Sequence, residues 1–77
     1  GISVYPNPST GSFVLTVTGH APQGSVVTVT NTMGQKVYES TIAGNGNHAL
    51  SINAAAGVYQ LSLNSNGRLH TTRLIVQ

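Results

Sequence analysis

Apolar residues recur at every second position along most of the chain, and turn-forming residues interrupt the runs. That spacing matches the alternating faces of a β-strand, not the roughly 3.6-residue repeat of a helix. A short first strand is predicted over residues 2–5, ending at Pro6. In "SFVLTVT" (12–18), Phe13, Leu15 and Val17 share one face, and Val14, Thr16 and Thr18 share the other. "HAPQG" connects to "SVVTVTN" (25–31), with Val27 and Val29 inward and Thr28 and Thr30 outward. "TMGQ" is expected to be a tight hairpin whose Gly34 supplies a positive φ, and "KVYESTI" (36–42) returns as its partner. "AGNGN" turns into a fifth strand, "HALSI". "NAAAG" leads to a sixth, "VYQLSL". "NSNG" then carries an Asn-Gly hairpin signal before the seventh, "RLHTTRLIVQ" (68–77).

Seven short strands separated by turn signals predict an all-β fold: an immunoglobulin-like β-sandwich of about seven antiparallel strands, of Greek-key type. The expected core is Phe13, Leu15, Val17, Val29, Tyr59, Leu61 and Leu74. Tyr59, two residues after Gly57 at the start of the sixth strand, stands where such sandwiches place a corner tyrosine. Its hydroxyl would bond back to the upstream connection. The lead-in "SVYPNPSTG" (3–11) has a structural use as well. Pro6 and Pro8 remove backbone donors and push Tyr5 and Asn7 towards extended geometry. They end pairing of the first strand, and the chain is then expected to cross between sheets.

Composition narrows the functions open to such a fold. The chain has 77 residues, enough for a single domain spanning 1–77, and no cysteine to staple it. Only 5% of residues are charged, against about 25% in an ordinary soluble domain. Lys36, Arg68 and Arg73 against Glu39 give a net charge of +2. Three scattered cations do not form the phosphate-neutralising footprint of a nucleic-acid binder. No apolar run approaches the roughly 20 residues that cross a bilayer, and no stretch has the pattern of a secretory leader. A surface of Ser, Thr, Asn and Gly suits an extracellular module.

Catalytic patterns are missing. Glu39 is the only side-chain carboxylate, so neither a paired acid and base nor an aspartate-oriented histidine can form. His20, His48 and His70 lie on different elements without metal-ligand spacing. "GNG" lacks the lysine of a phosphate loop. With no tryptophan, Tyr5 and Tyr38 are the only rings left for stacking on a sugar. No enzyme, no cofactor and no metal are expected.

Four blocks, in order, carry a resemblance: "VYPNPSTGSFVL", "VTVTNTMGQKVYES", "GVYQLSL" and the terminal "RLIVQ". Together they resemble the C-terminal sorting domains of the type IX secretion system, type A, over essentially the whole chain. The matching positions are Tyr5, Pro6, Asn7, Pro8 and Gly11 in the first block, Gly34 in the second, and Gly57 and Tyr59 in the third. Two positions depart from the family. Ala54, Ala55 and Ala56 stand where a leucine and proline often precede the Gly-x-Tyr, and Arg73 stands where a lysine is common.

The resemblance implies a folded address label on an N-terminal cargo. The cargo would reach the periplasm, and the outer-membrane translocon would carry it to the cell surface or beyond. A sortase-like peptidase would remove the label upstream of the lead-in, often attaching the cargo to the surface. A monomer with no membrane insertion is expected. The recognised element is expected to be Arg73, Leu74, Ile75, Val76 and Gln77. Ile75 is surplus to a half-buried strand, and a terminal strand at a sheet edge would offer free backbone groups for strand addition. Ile75 packed beneath a neighbouring loop is the structural alternative. A carbohydrate-binding accessory module and a passive spacer or adhesin repeat are the alternatives for the whole domain.

Overall fold

A computed structural model describes residues 1–19 and 24–77. The expected connection at "HAPQ", with His20, lies outside the described residues. The elements are β1 (Ile2–Tyr5), β2 (Ser12–Val17), β3 (Ser25–Thr30), β4 (Lys36–Ile42), β5 (Gly46–Ser51), β6 (Gly57–Ser65) and β7 (Arg68–Val76). They form a three-stranded sheet, β1-β2-β5, and a four-stranded sheet, β4-β3-β6-β7. Every strand pair is antiparallel, and there is no helix among the described residues. The architecture is the expected all-β one. In the constant-type immunoglobulin arrangement the fourth strand lies beside the fifth; here β4 pairs with β3.

The core follows the period-two reading. Phe13, Leu15, Val17, Val29, Tyr59, Leu61 and Leu74 are all buried, joined by Val27, Ile42, Ile52, Leu63 and Val76. Both sheets contribute one face each, and the opposite faces carry Thr, Ser, Asn and Gln. Burial of one face per strand is what fixes register, because a one-residue slip would expose the whole inward set.

Local chemistry sets the corners. Gly34 has φ +82° in the β3–β4 turn, as its sequence context requires. Asn31 anchors that turn: its Oδ1 accepts from the Met33 and Gln35 backbone N–H groups, each at 3.0 Å. The Asn-Gly pair closes β6–β7, with Asn66 at φ 55° and Gly67 at φ 85°, the left-handed pair that a two-residue hairpin needs. Tyr59 donates its hydroxyl to the Ala55 carbonyl at 2.6 Å. That is the tyrosine corner, and it holds the β5–β6 connection down on the sandwich.

Candidate functional site

The chain after β1 does not stay with its own sheet. Residues 7–11 cross to the four-stranded sheet and lie along the outer edge of β7. Pro6 and Pro8 have no N–H to give, so Asn7 and Ser9 carry the segment's bonding. Ser9 N–H donates to the Ile75 carbonyl and Gln77 N–H donates to the Ser9 carbonyl, both at 2.8 Å. These bonds form an isolated parallel bridge between Ser9 and Val76.

Asn7 extends that bridge with its side chain. Its Nδ2 donates to the Arg73 carbonyl at 2.8 Å, and its Oδ1 accepts from the Ile75 N–H at 2.9 Å. A carboxamide carries the same donor and acceptor as a peptide unit. Asn7 therefore supplies to β7 what one residue of a neighbouring strand would supply.

Gly11 finishes the crossing. It is buried, its φ is +106°, and a Cβ there would stand 2.6 Å from the Ile52 carbonyl oxygen. Its own carbonyl accepts from Ile52 N–H at 2.8 Å. Only glycine satisfies both the left-handed backbone and that close approach. Ser9, 2% exposed, turns its Oγ inward to accept from Gly11 N–H at 3.2 Å. The short segment thus bonds β7 on one side and the end of β5 on the other.

The terminal residues divide by alternation. Leu74 and Val76 are buried at 0% and 3% exposure, opposite Tyr59 and Gly57 of β6. Arg73 and Gln77 are exposed, and Ile75 is half-buried. The five residues expected to form one recognition element are therefore contiguous in sequence but split between core and surface. Arg73 also borders an open groove of about 550 Å³, which Thr30, Asn31, Val58 and Gln60 help to line. The single ion pair among the described residues joins Lys36 and Glu39 at 3.3 Å, both well exposed. It leaves Arg73 without an anionic partner there.

One expectation is corrected. β7 is an edge strand, but its last residues do not offer free backbone groups. The Arg73 carbonyl, both groups of Ile75 and the Gln77 N–H are already bonded to Asn7 and Ser9. Ile75 turns both groups outward, so the alternation of an antiparallel ladder turns those of Thr71 and Leu69 outward too. Along that earlier stretch the outward groups have no bonded partner among the described residues.

The family-motif positions scatter by role. Tyr5 is 77% exposed on the outer face of the three-stranded sheet, opposite Val14, and it is the one fully exposed aromatic ring. Pro6 and Pro8 are exposed, each after a cis peptide bond. Gly57 opens β6, where a Cβ would meet the Tyr59 ring at an ordinary 3.9 Å. Gly34 lies in the β3–β4 turn, and Tyr59 closes the corner. The sequence reading missed Ser9 altogether and gave Asn7 no partner. The available signal was that Asn7 is the one residue between two prolines and Ser9 the first backbone donor after them.

Among the described residues, no three His, Asp or Glu side chains come together to hold a metal ion. A family model described as a secretion system C-terminal sorting domain matches residues 3–77. A comparison with curated proteins finds no match.

Proposed function

The chain belongs to the family of secretion-system C-terminal sorting domains, and from that membership we propose how the signal is laid out on the fold. As a type IX secretion sorting signal it engages the type IX machinery and serves an N-terminal cargo. That cargo goes to the cell surface or the extracellular space, with the tail cleaved. The family is not an enzyme family.

The finer reading is our own. The recognised element is the terminal segment Arg73–Gln77, presented by its surface side chains Arg73, Ile75 and Gln77. Leu74 and Val76 act from the core by holding that face in place. The outer-membrane translocon receives this face after the cargo has crossed the periplasm. A sortase-like peptidase then cuts upstream of the lead-in, and the cargo is released or attached at the surface. The domain acts as a monomeric label without catalysis of its own.

The observation that supports this reading is the state of β7 at its end. Its backbone is bonded on both sides, yet Arg73 and Gln77 stay exposed and Arg73 has no anionic partner among the described residues. A folded partner can read such a row without opening the sandwich. The test is Arg73→Ala combined with Ile75→Ser on a periplasmic reporter carrying this domain in a type IX-competent strain. Asn7 bonds only the backbone of these residues, so the clamp survives the substitutions. The expected result is a folded domain whose reporter accumulates in the periplasm. Surface delivery at the parental rate places the signal elsewhere.

A further inference from the structure

We propose that Asn7 is a positioning residue for the sorting signal, and this rests on the reading of Arg73–Gln77 as the recognised segment. The two are 68 positions apart at Ile75, yet the Asn7 carboxamide makes a paired contact with the terminal strand. Its amide nitrogen holds the Arg73 carbonyl and its oxygen holds the Ile75 N–H. Ser9 continues the line with the Ile75 carbonyl and the Gln77 N–H. Together they act as a built-in neighbouring strand of minimal length.

Two consequences follow for recognition. First, an extended segment of a partner cannot pair with β7 over Arg73–Gln77 unless the lead-in leaves, because the Arg73 carbonyl, both groups of Ile75 and the Gln77 N–H are occupied. What remains to be read is the side-chain row of Arg73, Ile75 and Gln77. Second, the last residues of a chain ordinarily fray, and a frayed end would not hold those side chains at fixed spacing. Asn7 supplies the missing constraint at Arg73 and Ile75, and Ser9 supplies it at Gln77. Asn7 is itself exposed, so burial gives no reason for an asparagine at this position. Its bonding to the terminal strand does.

The experiment compares Asn7→Ala with a control of matched stability loss placed away from β7 and the lead-in, such as Ile42→Val on β4, each on the reporter cargo. Amide hydrogen exchange is read at Ile75 and Gln77 against core amides of β2 and β3. We expect Asn7→Ala to lose at least about tenfold protection at Ile75 while the β2 and β3 amides keep theirs. Surface delivery should slow several-fold, with the control near the parental rate. Unchanged protection at Ile75 overturns the proposal, since the clamp then does not depend on Asn7. Lost protection with delivery at the parental rate overturns it as well. So does an equal slowing in variant and control, which makes the effect one of stability alone. The reading of the terminal segment is judged separately by Arg73→Ala with Ile75→Ser, so either idea can fail without the other.

Should Asn7→Ala fail to fold, Asn7→Leu gives a second route. It keeps the shape of the side chain at this exposed position and removes both the donor to the Arg73 carbonyl and the acceptor for the Ile75 N–H. Protection at Ile75 is expected to fall as in the alanine variant, and protection equal to the parent's overturns the contact.

Discussion

β7 is one strand with two different halves. From Arg68 to Thr72 it is an open edge: Leu69 is 65% exposed and the outward groups of Leu69 and Thr71 have no bonded partner among the described residues. From Arg73 to its end the same strand is closed, with Leu74 and Val76 in the core and its outer backbone bonded to the lead-in. Alternation and the partner strand β6 are the same throughout. The difference comes from outside the strand, from where the first dozen residues cross. Edge and core are thus not properties of a strand's own sequence, and a single strand can present its backbone in one half and only side chains in the other.

The contrast breaks most severely at its buried member. Leu74→Ala should destabilise the domain by about 2–5 kcal/mol, read from the urea midpoint, because it leaves a cavity opposite Tyr59. A shift below about 1 kcal/mol means that the closed half is not anchored in the core as described. Next comes Gly11→Ala, which forces a side chain into a left-handed backbone and against the Ile52 carbonyl. A loss of about 1–3 kcal/mol is expected. Amide exchange should localise part of it to Ile75 and Gln77, since the crossing and the closed half share one segment. Exchange confined to Ile52 and β5 would uncouple them.

A smaller effect is expected at the corner. Tyr59→Phe removes the bond to Ala55 while keeping the ring against Leu74, at a cost of about 0.5–1.5 kcal/mol in thermal or urea unfolding. No change there makes the ring, and not the hydroxyl, the whole contribution. The smallest effect belongs to the open half. Leu69→Thr should stay within about 0.5 kcal/mol of the parent and leave surface delivery of a cargo unchanged. Slowed delivery would move the recognised region from the closed half to the open one.

Much of this was legible in the chain. Period-two alternation located all seven strands and put every expected core residue inside, because burial of one face leaves its mark in local sequence. Turn chemistry was equally local: Gly34 and Asn66–Gly67 announce themselves by residue type. Tyr59 could be placed by its offset from Gly57. What stayed hidden involves partners far apart in the chain. Nothing near Asn7 says that it bonds Ile75, whereas the pairing of β4 with β3 was announced by the hairpin signal at Gly34. The expectation of a free terminal edge failed for the same reason. It was drawn from β7 alone, and the segment that closes that edge begins at the opposite end of the sequence. Asn31 was missed more simply, as an anchor one residue before the turn that Gly34 marks.

The parallel bridge at Ser9 also has a mechanical meaning. Cargo joined ahead of Gly1 and a machine holding the chain near Gln77 would pull the domain by its two ends. Lead-in and β7 run side by side in the same direction, so such a pull slides one along the other instead of peeling them apart. Two bonds from the Asn7 carboxamide and two from the Ser9 backbone then carry the load together. They must rupture at once, not in succession, so the rate of forced opening depends on the whole set. The contact proposed to position the label's end would then also resist such a pull in shear.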